Sequence, residues 1–264
     1  MAKKVTDSWK IETLVKKAFD RTKQRFLSYI FVYVIGIGIV ILAAIALLLL
    51  SGIIFLIFKA TNLPILTILL GVVVGTGFIG VLIYLGAWIQ LSILSVMTDE
   101  KRVSVNESLK KTRPLVPGFI VLVILNGLFI AGLLPFGFLT LFIVFILWWI
   151  WGSMVGFVYL HQKQPKGITS LWISRQMVNQ NFWGIVGRML LVGGGLYFIT
   201  FILSSSKNAL LSALVPIISI LIGPFIISFL YEMYKNLSVP KAVEKPKVWV
   251  TLSVIGWVIS IVVF

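Results

Sequence analysis

The stretch FLSYIFVYVIGIGIVILAAIALLLLSGIIFLIF, residues 26–58, decides the class of fold, because its 33 residues include no charged side chain. An α-helix rises about 1.5 Å per residue, so this run would reach about 50 Å. The hydrocarbon core of a bilayer is only about 30 Å thick. We therefore expect a transmembrane helix that tilts, bends or projects from the membrane.

Further apolar runs follow the first and predict an all-α, polytopic membrane bundle with six to seven transmembrane helices. Apolar residues make up 59% of the 264 residues and charged residues 12%, whereas soluble domains average about 45–50% and about 25%. The mean hydropathy of +1.09 agrees. The last run could be a seventh span, an interfacial helix or the end of a truncated product, and we expect a seventh span. The predicted spans are 26–58, 65–97, 115–134, 136–160, 182–203 and 209–234, with 248–264 as the seventh.

The distribution of basic residues predicts how the spans are oriented. The turns expected at 59–64, 134–137 and 204–208 carry two Lys/Arg residues, while the opposite side carries 21 of the 23. Cytoplasmic loops are enriched in Lys and Arg. The sequence therefore predicts a multi-pass protein of the plasma membrane, with its N-terminus in the cytoplasm.

An internal repeat divides residues 1–237 into three units, at about 8–97, 98–160 and 161–237. Each unit is predicted to be a helical hairpin preceded by a cytoplasmic amphipathic helix, at 8–25, 104–113 and 168–178. Ser104 and Glu107 match a capping box, which favours a helix start at that point. A basic linker, 238–247, follows. In every unit a small residue precedes an apolar one by eight positions: Ala18 and Phe26, Ser108 and Val116, Ser174 and Phe182.

Three stretches of the repeat carry a resemblance to a known family. They are KKAFDRT at 16–22, TDEKRVSVNESLKKT at 98–112 and FLYEMYKNL at 229–237. Over about 9–237 the chain resembles the six-helix bacterial membrane domain of glycerophosphoryl diester phosphodiesterases and related uncharacterised membrane proteins. The resemblance implies this fold. It implies no catalytic residues, because the soluble phosphodiesterase barrel of that family does not follow by residue 264.

Basic residues of the first two amphipathic helices form the predicted membrane-surface site. In the first helix we expect Ile11, Leu14, Val15 and Phe19 to face the acyl chains. Amphipathic helices with basic polar faces bind at membrane interfaces, above all those containing anionic lipids. The bilayer, with its anionic lipids, is thus the expected partner, beside a protein partner or a second copy. The basic site residues are Lys10, Lys16, Lys17, Arg21, Lys23, Lys110, Lys111 and Arg113.

Glycines and two amides are the candidate residues within the spans. Gly71 with Gly75 and Gly152 with Gly156 match the small-xxx-small pattern, which predicts close helix packing in the bundle, dimerisation or a chance match. Gln90 and Asn126 are expected to face the bundle interior, either in an interhelical hydrogen bond or in contact with a substrate. Pro216, Gly223 and Pro224 predict a kink or a broken helix in the sixth span.

We expect no catalytic, cofactor or metal site. The string Gly75-Thr-Gly77-Phe-Ile-Gly80 lies in an apolar span, whereas a dinucleotide fingerprint needs a strand before it. His161 is the only histidine and there is no cysteine. The excess of basic residues is interpreted as a topology signal and not as nucleic-acid binding.

Three classes of function fit these features. The first is a non-catalytic integral membrane protein that organises lipids or partner proteins through a basic cytoplasmic face. The second is a transporter or channel for an uncharged or amphipathic solute. The third is the membrane subunit of a lipid-processing enzyme. We expect the first, since all acidic residues lie outside the spans or at their ends.

Overall fold

The computed structural model describes residues 9–61, 64–100, 103–140, 143–162, 167–206, 209–240 and 242–263. Within these ranges the fold is helical and contains no β-strand. A 3₁₀ turn, Arg113–Leu115, joins the third helix to the fourth. The helices are α1 (Ile11–Thr61), α2 (Pro64–Thr98), α3 (Val105–Thr112), α4 (Val116–Leu139), α5 (Ile143–Gly152), α6 (Val155–His161), α7 (Thr169–Asn179), α8 (Phe182–Ser204), α9 (Ala209–Lys235) and α10 (Lys247–Val263).

Six helical stretches in the described ranges are long and apolar enough to cross a membrane, which confirms the six expected spans by length and composition. The protein is therefore a membrane-embedded helical bundle. α10 is a shorter apolar helix. The six stretches are Ile11–Ala60, Ile68–Thr98, Val105–Phe138, Ile143–His161, Phe182–Ser204 and Ile218–Lys235.

Neighbouring spans run antiparallel where their contacts give the direction. On α1, Arg25 donates to the Val96 carbonyl near the end of α2, and Gly36 lies against Ile89, earlier in α2. α1 also packs extensively along α9. α1 is thereby fixed between α2 and α9.

α4 lies antiparallel to α5 and α6. The Tyr159 hydroxyl donates to the Leu115 carbonyl at 2.7 Å, at the start of α4. The Trp148 indole donates to Asn126 at 3.0 Å, nearer the middle. The two segments of the fourth span therefore share one long partner helix.

The first amphipathic helix is not a separate element, which corrects the prediction for 8–25. From Ile11 the chain forms α1 without a break, through Arg25 and into the apolar run. No glycine or proline lies between Ile11 and Tyr33, so nothing in the backbone ends the helix there. By contrast, α3 is separate, and its capping box of Ser104 and Glu107 is confirmed by the Ser104 N–H to Glu107 Oε2 bond of 2.9 Å.

The turns and breaks of the spans differ in part from the prediction. The turn expected at 134–137 is helical, because α4 includes Pro135 and continues to Leu139. α9 continues as one helix through Pro216 and Pro224, since a membrane helix tolerates a missing backbone donor. The broken helix is therefore wrong, and the kink stays a prediction. The break lies instead in the fourth span, between α5 and α6.

α10 packs along α4 through two glycines. A Cβ at Gly256 would collide with the Gly132 carbonyl oxygen, so the two backbones are in direct contact. The Ser253 hydroxyl donates to the Phe129 carbonyl at 3.1 Å, and the Trp257 indole donates to the Leu128 carbonyl at 2.9 Å. Small residues permit such approach between membrane helices.

Candidate functional site

The C-terminal ends of α2, α6 and α9 meet in a polar junction. We use this name for Thr98, Asp99, His161, Tyr231, Glu232 and Tyr234, together with the cations that contact them. His161 Nε2 lies 2.7 Å from Thr98 Oγ1, and its ring centroid is 5.4 Å from that of Tyr231. The Gln162 amide donates to the Tyr234 hydroxyl at 3.1 Å. The three helices are thus joined at one end through side-chain contacts.

Two carboxylates in the junction are buried and paired. Asp99 is 7% exposed, and Lys111 Nζ lies 2.7 Å from its Oδ1. Glu232 is 3% exposed and contacts Arg21 Nε at 2.9 Å and Lys235 Nζ at 2.8 Å. Isolated charges are costly to bury, so these pairs neutralise the junction.

Arg25 donates hydrogen bonds to the last carbonyl groups of α2 and of the residues that follow it. Its guanidinium donates to the carbonyl oxygens of Val96 at 2.6 Å, of Asp99, and of Glu100 at 3.3 Å. The last carbonyls of a helix have no partner within the helix, and they carry the negative end of its dipole. A buried cation placed here therefore joins α1 firmly to α2.

The His161–Thr98 pair is not arranged for nucleophilic catalysis. Thr98 Oγ1 lies 2.6 Å from the Leu94 carbonyl, which can only accept. The single hydroxyl proton is used there, so Thr98 accepts the hydrogen bond from His161 Nε2. A histidine that donates to the hydroxyl cannot act as its base in this geometry.

The described residues contain no group of three or more His, Cys, Asp or Glu side chains that could hold a metal ion. The contacts that the junction does show are pairs of opposite charges. Each buried carboxylate is neutralised by a cation from a different helix or from the next helical turn. Such an arrangement joins helix ends.

Two of the eight predicted surface cations are paired in this junction, and the assignment to the surface is corrected for Arg21 alone, because Lys111 stays half exposed. Arg21 is 15% exposed and bound to Glu232, and Lys111 is bound to Asp99. The sequence pattern placed them on a polar helix face, but that face meets carboxylates from other helices. Both cations are thus paired with carboxylates of the protein itself.

The other predicted cations face outward and form a basic surface. Lys10, directly before the first residue of α1, is exposed. Of these predicted cations, five are exposed and make neither an ion pair nor a side-chain hydrogen bond with a described residue. We call these five the free basic surface: Lys16, Lys17, Lys23, Lys110 and Arg113.

The apolar face of the first turns of α1 differs from the prediction. Phe19 is 61% exposed and Ile11 36%, as a lipid-facing surface requires. Leu14 is fully buried in the protein core, and Val15 is partly buried against it. α1 therefore buries one face in the bundle and keeps Phe19 beside Lys16 and Lys23 on the outside.

Arg175, on α7, is turned toward the core and not toward this surface. Its guanidinium lies 5.0 Å from the Trp151 ring. Burial lowers the pKa of Arg175, and the nearby Glu244 carboxylate opposes that shift. The side chain remains a cation in a half-buried, aromatic setting.

The two intramembrane amides have different environments. Asn126 accepts from the Trp148 indole at 3.0 Å, which confirms the expected interhelical hydrogen bond. Gln90 is exposed, contrary to the prediction. Ile89 packs on Gly36 and Leu91 is fully buried, so both contact faces of α2 are occupied and Gln90 lies on the outward face.

Among the described residues, only one of the four predicted packing glycines has another helix within 4 Å of its Cβ position. A Cβ at Gly156 would lie 2.8 Å from Leu94 of α2. At Gly71, Gly75 and Gly152 a Cβ would meet no described atom within 4 Å. The close packing predicted for these three is therefore not found among the described residues, and Gly152 instead borders a cavity.

Fold and site together define a class, the multi-pass α-helical membrane proteins. No protein-family model matches the chain, and no curated protein or solved structure is detectably similar to it. The functional argument accordingly rests on the residues themselves.

Proposed function

We propose that this chain is a non-catalytic integral membrane protein whose basic end organises anionic lipids or protein partners at the cytoplasmic surface. The free basic surface carries the proposal. Its five cations lie on α1 and near α3, two elements that meet at Asp99 through Arg25 and Lys111. Each Lys or Arg near an anionic membrane contributes about 1 kcal/mol. Phe19, exposed beside Lys16 and Lys23, supplies an apolar contact for the same interface.

A repeat of three units is the architecture that we propose for this protein, and buried small residues support it. Ala18, Ser108 and Ser174, which occupy equivalent positions in the three units, are all fully buried. Ser108 donates to the Ser92 carbonyl of α2 at 2.8 Å, and Ser174 donates to the Trp151 carbonyl of α5. Each short helix would then bind the second span of the preceding unit. The resemblance to the phosphodiesterase membrane domain agrees with such an arrangement.

The proposed orientation in a bacterial plasma membrane is testable because the chain has no cysteine of its own. Lys16→Cys and Ser205→Cys lie at opposite ends of the bundle, and both positions are exposed. We expect a membrane-impermeant thiol reagent to label Ser205→Cys in intact cells and Lys16→Cys only after permeabilisation. The reverse labelling would overturn the cytoplasmic location of the basic surface.

Lipid selection by the basic surface is tested with the full chain reconstituted in mixed vesicles of phosphatidylcholine and phosphatidylglycerol. Bound lipids are counted by native mass spectrometry after gentle extraction. We expect phosphatidylglycerol to be enriched on the native protein. The combined variant Lys16→Gln, Lys17→Gln, Lys23→Gln should lose most of this enrichment, since about 1 kcal/mol per cation is removed.

Lys59 provides the matched control, because it is an exposed lysine at the other end of the same helix. Lys59→Gln should retain the enrichment that Lys16→Gln reduces, and salt should weaken binding to the native chain. Equal phosphatidylglycerol enrichment in the combined variant and the native protein would contradict the proposal.

A further inference from the structure

The fourth span is interrupted near the middle of its length. α5 ends at Gly152 and α6 begins at Val155. The Ser153 hydroxyl donates to the Ile150 carbonyl at 2.7 Å, and a glycine–serine pair is a known cause of breaks in helices. Ser153 lies eight residues before the end of α6, about 12 Å along a helix. The break therefore lies deep in the apolar layer.

A cavity of about 330 Å³ lies beside this break, between α4 and α5. Asn126, Trp148, Gly152 and Ser153 contribute to its wall, and none of the described residues that line it is charged. Trp149 forms part of the rim and is 67% exposed, so the cavity opens at the side of the bundle, where the acyl chains lie. Pockets of about 300–1,000 Å³ accommodate small organic ligands.

Among the described residues, the amide of Asn126 leaves an unused hydrogen-bond donor at the cavity. The Trp148 indole can only donate, so the atom facing it is the Asn126 carbonyl oxygen, Oδ1. The Asn126 amide nitrogen is thereby directed elsewhere, and within the described residues it has no hydrogen-bond acceptor. An unsatisfied donor in an apolar medium is unfavourable. A ligand oxygen that accepts from Asn126 would remove this cost.

We propose that the cavity binds an uncharged amphiphile that enters from the bilayer. Its apolar body fills the space among the aromatic side chains, and one hydroxyl or carbonyl oxygen accepts from Asn126 Nδ2. A charged ligand is excluded because the described wall offers no opposite charge. Ser153 Oγ can still accept a hydrogen bond, which favours an alcohol. This site is separate from the basic surface and independent of the function proposed for it.

The test uses the full chain in detergent and a long-chain alcohol tagged with bromine, which quenches tryptophan fluorescence on contact. The bromoalkane of the same length is the matched ligand without a hydroxyl. We expect saturable quenching by the alcohol, at about tenfold lower concentration than by the alkane, as one intramembrane hydrogen bond of about 1–2 kcal/mol predicts.

Two variants make the test specific to this site. Asn126→Leu should make the alcohol and the alkane bind equally, whereas Gln90→Leu, the same kind of change at an exposed amide, should not. Gly152→Leu should abolish saturable quenching by both, because its side chain fills the cavity. A Cβ there meets no described atom within 4 Å, so this variant is expected to fold, and Gly75→Leu is its matched control.

The outcomes are decisive in either direction. Linear, unsaturable quenching that is the same for both compounds would show partitioning into the micelle and overturn the proposal. Unchanged saturable quenching in Gly152→Leu would also overturn it. The variant with Lys16, Lys17 and Lys23 replaced should quench like the native chain, so failure of the lipid proposal is recognised separately.

Discussion

Glu232→Gln is expected to lower the melting temperature of the purified protein sharply, corresponding to a loss of about 3–5 kcal/mol. The Glu232 side chain is 3% exposed and contacts both Arg21 and Lys235. Glutamine keeps the shape but removes the charge, so the largely buried Arg21 guanidinium loses its partner. Thermal unfolding in detergent, followed by near-UV circular dichroism, measures the effect.

Glu12→Gln is the control, because Glu12 is exposed in the first turn of the same α1 helix that carries Arg21. It should shift the melting temperature only slightly. Adding Arg21→Gln to Glu232→Gln should restore part of the loss, since the unpaired cation is then gone. If Glu232→Gln melts like the native protein, the junction does not hold the helix ends together.

Gly256→Leu is expected to detach α10 from α4. The Cβ alone collides with the Gly132 carbonyl oxygen, and backbone cannot give way as a flexible side chain can. The hydrogen bonds of Ser253 and Trp257 to α4 depend on the same close approach. Overpacking a tight contact costs about 1–3 kcal/mol or more. Limited proteolysis of the detergent-solubilised protein should then remove α10, whereas we expect α10 of the native protein to resist cleavage.

Gly75→Leu is the matched change, because its Cβ meets no described atom within 4 Å. It should leave both the melting temperature and the protease pattern unchanged. Equal protection of α10 in Gly256→Leu and in the native protein would contradict the contact between α4 and α10. A lower melting temperature for Gly75→Leu alone would indicate a second copy packed on α2.

The spans were predictable from sequence because one strong physical requirement sets them. Every backbone group in lipid must be satisfied within a helix, and the bilayer sets a minimum length. Asn126 was predictable for a related reason, since an amide in an apolar layer needs a partner. The capping box at Ser104 is local and could be recognised from a spacing of three residues.

The polar junction could not be predicted, because its partners are far apart in sequence. Arg21 and Glu232 are separated by 211 positions, and a charge pattern on one helix does not reveal which carboxylate faces it. His161 was assigned no role for the same reason, since Thr98 lies 63 positions away. The one available signal was that Asp99 and Glu232 each lie at the end of an apolar span, where neighbouring spans also end.

The break in the fourth span is not evident from sequence, because a glycine–serine pair is a weaker marker of interruption than a proline. Pro216 and Pro224 lie inside a continuous α9, whereas Gly152 and Ser153 end α5. The packing glycines were misassigned for a similar reason. A small-xxx-small spacing identifies a surface that permits contact, but only the fold decides whether a helix reaches it.

The unequal heights of the helices have a consequence for the surrounding lipid. α2 has 35 residues and α8 has 23, which corresponds to helix lengths of about 50 Å and about 35 Å. Lipids beside α1 and α2 must stretch, or these helices must lean over, while lipids beside α8 remain close to their relaxed thickness. The lipid layer is therefore expected to be thicker beside α1 and α2 than beside α8. In a membrane with thick and thin regions, the molecule would settle along the boundary with its long hairpin toward the thicker side.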